Sequence, residues 1–252
     1  MESSAPGALA LVAAASVAAG AVAAVSGFGI SSLLTPLLLL YRPAGEAVAL
    51  VAIPHLVGTA IRGWGLRGDI DGPTFRQFGI ASPAGGLAGA ALQPRLGGPA
   101  LTAVLALMLL SAGGSELVGR RVPLPPTPFW RLAGGLLSGL FGGLVGNQGG
   151  IRAAALLGFR LPPRALVATA TASALLVDAA RLPVYLAAHG PALAQDAPFW
   201  LVGCAGVVAG TLLGVPVLRR IPEPLYRRLV GGLIFALGVA LAVSVLAPGQ
   251  GR

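Results

Sequence analysis

The stretch Gly146-Asn147-Gln148-Gly149-Gly150-Ile151-Arg152 lies between two apolar runs, and its reading decides how the rest of the chain folds. Three glycines, two amides and an arginine cannot face lipid, because backbone groups freed in hydrocarbon cost several kcal/mol each. A neighbouring helix, trapped water or a ligand must satisfy them. An earlier stretch, Ser26-Gly27-Phe28-Gly29-Ile30-Ser31-Ser32, interrupts another apolar run in a similar way. The two breaks are expected to form the halves of one transport site.

The surrounding composition sets the solvent. The 252 residues are 56% hydrophobic and 10% charged, whereas a soluble domain carries roughly 25% charged residues. An all-α, polytopic membrane helix bundle follows, and its 38 glycines suit close helix packing and broken helices. All 17 basic residues are arginine. Without a lysine there is no Walker A phosphate loop and no retinal or pyridoxal Schiff base, so an ATP-driven pump within this chain and a retinal protein are excluded. The net charge of +9 falls in short loops, where it sets membrane orientation rather than a nucleic-acid surface. Cys204 rules out an intramolecular disulfide and reads as a buried spectator thiol. Met1-Glu2-Ser3-Ser4 lacks the basic start of a signal peptide, so the first apolar run is expected to be retained.

Two halves are legible. Residues 1–118 carry a Gly-broken pair (7–41) and spans at 44–64, 75–92 and 99–118. The proline-rich stretch 119–129 cannot be helical throughout and reads as a cytoplasmic linker. Residues 130–252 repeat the order: a broken pair (130–159), then spans at 163–188, 198–218 and 226–247. An offset of 119 places Gly27 on Gly146, Phe28 on Asn147, Thr59 on Asp178 and Arg62 on Arg181.

Arginine placement tests the orientation of the halves. If each broken pair crosses once, the arginines outside the break divide eight against eight and specify nothing. If each pair is a hairpin returning to its starting side, twelve gather on one side: Arg62, Arg67, Arg76, Arg120, Arg121, Arg131, Arg160, Arg164, Arg219, Arg220, Arg227 and Arg228. Only Arg42, Arg95, Arg181 and Arg252 remain opposite. The positive-inside rule selects the hairpins, which makes the halves inverted repeats with both termini outside the cytoplasm. Trp64, Trp130, Trp200, Tyr41, Tyr185 and Tyr226 all fall at expected segment ends, as interfacial rings should.

The short arms, Ile30–Leu40 and Ile151–Phe159, cover roughly half of a ~30 Å hydrocarbon core at about 1.5 Å per residue. Re-entrant hairpins of this kind bring two helix N-termini together near the midplane, the broken-helix arrangement of secondary transporters. Their amides and positive dipole ends favour an anion. Expected substrate-binding residues are therefore Gly27, Phe28, Gly29, Ser31, Ser32, Asn147, Gln148, Gly149, Gly150 and Arg152, the last as a bidentate partner for an oxyanion. The alternative is that the glycines serve packing and Arg152 pairs structurally. Asp178, three residues before Arg181, can form a helical ion pair or carry a coupling proton. His55, after Pro54, can pack or relay a proton. Arg62 can point into the bundle or join the cytoplasmic set, and Glu116 is expected to reach the interface. These four intramembrane groups, His55, Arg62, Asp178 and Arg181, are the candidates for coupling or gating. No metal ligands and no cofactor are expected; the partners are a small anion, the lipid bilayer, protons if transport is coupled, and a second copy if it dimerises.

With Thr35-Pro36-Leu37-Leu38 after the first break, and Ala165-Leu166-Val167-Ala168-Thr169 and Arg181-Leu182-Pro183-Val184-Tyr185 after the second, the chain resembles the sulfite exporter TauE/SafE family of bacterial anion permeases. The family's Gly-x-Gly-Gly-Gly element is altered here: the first break ends Gly29-Ile30-Ser31, and Asn147-Gln148 precede the glycine pair of the second. Ala155 stands where the first half has Pro36. The resemblance implies a bacterial inner-membrane carrier for export or uptake of sulfite, sulfonates such as sulfoacetate, or small carboxylates, with export the expected direction. An anion channel is the alternative. An intramembrane hydrolase would need Ser138 or Ser173 activated by His55, without a Gly-x-Ser-x-Gly element to hold it.

Overall fold

In the computed structural model, residues 6–119, 125, 127–218 and 220–246 are described, without the side chains of 214–218 and 223. Most of the expected linker at 119–129 lies outside them. The described chain is helical: α1 (Pro6–Ser26), α2 (Ile30–Leu38), α3 (Ala44–Leu66), a short turn α4 (Gly72–Thr74), α5 (Ser82–Leu92), α6 (Gly98–Val118), α7 (Pro128–Val145), α8 (Gly149–Leu157), α9 (Pro163–Gln195), α10 (Ala197–Leu218) and α11 (Glu223–Leu246). Among the described residues, five helices are long and apolar enough to cross a membrane: α1, α3 with its following turn, α6, α9 and α11.

The breaks end helices for a stated reason. Gly27 and Gly146 have φ of 80° and 75°, the left-handed conformation that stops a helix and that glycine adopts without a Cβ clash. Their amides close the last turns, on Ala23 O at 2.9 Å and on Gly142 O at 3.1 Å. The offset of 119 then holds at successive boundaries. The ends of α1 and α2 at 26 and 38 recur at 145 and 157, and the starts of α2 and α3 at 30 and 44 recur at 149 and 163.

Four helix pairs make the bundle: α3 on α9 at the centre, α1 on α10, α5 on α7 and α6 on α11. Glycine lets backbones touch in three of them, α6 on α11 included, where a Cβ on Gly113 would lie 2.5 Å from Phe235 N. A Cβ on Gly139 would lie 1.9 Å from Ser82 O, and one on Gly210 would lie 2.0 Å from Val17 O. Such contacts replace the hydrophobic drive that lipid does not supply.

Ionic contacts mark the two ends. At one, Arg164 Nε sits 2.8 Å from Asp69, Arg131 lies over the Phe159 ring at 4.7 Å, and Arg227 pairs with Glu116 at 3.0 Å. At the other, Arg42 forks onto both carboxylate oxygens of Asp196, and His189 contacts Gln93 at 3.2 Å. That fork holds the Arg42 guanidinium above its ordinary range.

Several expectations shift. The span expected at 75–92 is composite: α4, one π-helical turn at Phe75–Gly79, then α5. The span expected to end at 188 runs on to Gln195 through Pro183 and Pro191, because packing on α3, α5 and α7 holds the helix on either side of the prolines. Tyr185 is therefore no interfacial anchor. It is fully buried mid-helix, and its hydroxyl donates to Gly143 O. Tyr226 is buried too, donating to Val22 O at 3.0 Å. Glu116, expected at the interface, is 6% exposed and paired with Arg227.

Candidate functional site

The two breaks meet. Gly27, Phe28, Gly29, Ser31 and Ser32 from the first line one narrow cavity with Gly146, Asn147, Gln148, Gly149 and Arg152 from the second, and His55 joins them. The contact between tips is direct: a Cβ on Gly149 would fall 2.7 Å from Phe28 Cβ. The cavity has room for about one water molecule. Gly150 is the exception among the expected residues. It faces α6, where its nearest neighbour is Ala112, and lines an adjacent cavity instead.

Two helix N-termini bound this space. The first amide bonded within α2 is that of Leu33, to Gly29 O at 3.1 Å, and the first within α8 is that of Arg152, to Gln148 O at 3.0 Å. Those positions again differ by 119. Helix geometry leaves the amides ahead of them without intrahelical partners.

The side chains add donors. Ser31 Oγ, Asn147 Nδ2, Gln148 Nε2, and Arg152 Nε and Nη2 are all buried with no hydrogen-bond partner. A buried polar group left unsatisfied costs about 1–3 kcal/mol, and more when charged. These five donor atoms at two helix N-termini, against one orphaned acceptor in Gln148 Oε1, make a site short of acceptors. An oxyanion supplies acceptors and negative charge together.

Behind the tips lies an ionic network. Asp178 Oδ2 is 2.7 Å from His55 Nδ1, and Asp178 Oδ1 is 2.8 Å from Arg181 Nη2, an ion-pair contact whose angle falls outside hydrogen-bond geometry. Arg181 Nη1 donates to Gly142 O at 2.6 Å. Thr59 Oγ1 lies 3.4 Å from the same His55 nitrogen. Arg62 is buried, not interfacial, and donates to Ala23 O at 3.0 Å and Thr171 Oγ1 at 2.9 Å. Among the described residues around the tips, three guanidiniums (Arg62, Arg152, Arg181) face one carboxylate, Asp178.

The profile of the sulfite exporter TauE/SafE family matches residues 12–241, which is nearly the whole chain. The chain belongs to that family. Membership carries the coarse function with it: a membrane transporter of sulfur anions, in a family of transporters rather than enzymes. Comparison with curated proteins gave no match, and neither did comparison with solved structures.

Within this TauE/SafE chain, the serines proposed for a hydrolase are not poised. Ser173 donates to Thr169 O at 2.8 Å, and Ser138 Oγ is buried with no partner, so neither is bonded to His55. Sequence reasoning missed the pairing of His55 with Asp178. It also missed the bond that Thr171 takes from Arg62. Both join α3 to α9 across more than a hundred residues, and no local spacing signals them.

Proposed function

We propose that this TauE/SafE protein is a secondary carrier that exports a small sulfur-containing or organic anion, such as sulfite or sulfoacetate, from the cytoplasm of a bacterium. The anion sits between the tips of α1–α2 and α7–α8, held by the amides at Ile30–Ser32 and Gly149–Ile151, by Ser31, Asn147 and Gln148, and by the Arg152 guanidinium. The observation that carries this is Arg152, 4% exposed, with two of its nitrogens lacking a partner beside the tip cavity. An uncompensated intramembrane charge is functional by default.

The broken pairs are read as re-entrant hairpins and the halves as inverted repeats. Two relationships support this. Arg131 near the start of α7 lies over Phe159 just past α8, so the pair returns to the end it left. Helix α1 runs parallel to α10, with Gly206 against Ala13 and Ser16 and Gly210 against Val17 and Ala21. This puts the start of α1 at the end where Tyr41 stacks on Phe199, just past α2. The two pairs thus open to opposite ends. Transport then proceeds by alternating access around a fixed midplane site. His55 and Asp178, in contact and beside that site, are the groups for proton coupling.

A cavity with room for one water supports an occluding carrier over an open channel. Flux into proteoliposomes of sulfite, sulfoacetate, taurine, sulfate and pyruvate, with and without a pH gradient, tests the reading. The expected result is saturable flux with counter-flow for one of the sulfur anions. Arg152→Gln, folded by gel filtration, should bind none of them; retained affinity in that variant removes the site.

A further inference from the structure

Phe28 separates the tip cavity from a much larger space. On the side of Arg227, a cavity of about 610 Å³ is lined by Ser26, Phe28, Glu116, Leu166, Tyr226 and Arg227. A second lobe of about 310 Å³, between α6 and α8, shares Phe28 and Glu116 with it. The tip cavity, by contrast, measures about 10 Å³, and Phe28 also belongs to its wall. The larger lobe is bounded by Leu161 and Ile221 in the loops and by Pro163 at the start of α9, at the end of the bundle where Arg164 and Arg227 lie.

We infer that the Phe28 ring is the gate between this vestibule and the anion site, a reading that rests on the proposed site between the tips. The ring lies against Gly149 at the N-terminus of α8: a Cβ there would be 3.0 Å from Phe28 Cγ and 3.2 Å from Cδ2. Glycine at that position leaves the ring a seat against the opposite tip. The backbone beneath the ring is held. Ser26 Oγ donates to Phe28 O at 2.6 Å and receives the Phe28 amide at 3.4 Å. The gate therefore opens by rotation of the ring about its side-chain torsions while the Gly27-Phe28-Gly29 backbone stays in place. Such rotamer changes are far faster than helix movements. An anion reaching the vestibule meets Ser26 and the Phe28 face first, and the orphaned donors of Arg152 only after the ring has swung away.

Thiol accessibility tests the gate without any substrate. Ser31→Cys, which lines the tip cavity, is introduced with Cys204→Ser, and a membrane-impermeant methanethiosulfonate is applied to vesicles of either sidedness. Phe28→Ala should raise the labelling rate at least tenfold from the Arg227 side and leave it unchanged from the other. Phe28→Leu should fall between alanine and phenylalanine, so a graded series remains if the alanine variant does not fold. Equal rates across the series, or a rise from both sides, overturns the gate. If Arg152-dependent flux persists alongside equal rates, only the gate fails. If labelling follows the series while flux is absent for every anion, the gate stands and the substrate reading fails.

Discussion

Arg181 donates to the carbonyl of Gly142, and the atoms of this bond recur 119 residues earlier as Arg62 donating to the carbonyl of Ala23. Each arginine comes from the third helix of its half and reaches the last turn of the first, one turn before the break. A guanidinium there meets the negative end of the helix dipole and satisfies a carbonyl near the point where the helix stops. The two bonds fix where the tips sit. Their surroundings differ, since Asp178 stands beside Arg181 where the first half has Thr59.

That difference predicts unequal stabilities. Arg181→Gln strands Asp178 with only His55 in a fully buried place, and losing one partner of a buried pair costs about 3–5 kcal/mol. Arg62→Gln strands no carboxylate in direct contact, and Ala23 O keeps the Gly27 amide, so about 1–3 kcal/mol is expected. Thermal unfolding in detergent should rank Arg181→Gln well below Arg62→Gln. The double variant Asp178→Leu/Arg181→Leu should recover part of the loss. Equal melting temperatures for the two single variants would show that Asp178 is not charged against Arg181.

His55 and Asp178 carry a separate prediction. Asp178→Asn keeps the shape of the side chain and a hydrogen bond to His55 while removing the ionisable carboxyl. If the pair couples protons to anion movement, the variant should still exchange anion for anion but lose acceleration by a pH gradient. Counter-flow and gradient-driven flux in the same proteoliposomes separate the two. Full gradient dependence in Asp178→Asn removes the pair from coupling.

The breaks, the 119-residue offset and the members of the tip cavity were legible because backbone chemistry forces them. Polar and glycine residues in lipid need partners, and the helix resumes where apolar residues do. Partners across the bundle were not. Nothing in the spacing around Pro54 ties His55 to Asp178, because periodicity gives the face of a helix and not what packs on it. Tyr185 was misplaced for a related reason: the expected span stopped at 188, and only packing against α3, α5 and α7 carries α9 on through Pro191 to Gln195. Gly150 shares the break with Gly149 but points to α6, a rotation of about 100° per residue that puts neighbours on different faces.

That rotation makes the glycines of the second tip distinguishable. Gly146→Ala must place a Cβ on backbone at φ 75°, which costs about 1–2 kcal/mol before any contact is counted. Gly149→Ala drives a Cβ into Phe28 and should separate the tips. Gly150→Ala meets only Ala112 Cβ at 3.4 Å and should be tolerated. Anion affinity is expected to fall in the first two variants and to stay within about threefold in the third. An equal loss in all three places the glycines in packing alone.

Topology gives the last prediction, and burial sharpens it. Arg62 and Arg181 are enclosed by the bundle, so neither acts on orientation as a loop charge does. Without them the twelve arginines assigned to one side become eleven, and the four on the other become three. The bias survives the correction and rests on short loops, where it is most effective. It requires the N-terminus to lie outside the cytoplasm, on the side of Arg42 and Arg95. A phosphatase reporter that is active only outside the cytoplasm should therefore be active when fused before Pro6 and inactive when inserted in the loop at Arg160. The reverse pattern turns the protein over, and activity at both points breaks the hairpin reading of α7 and α8.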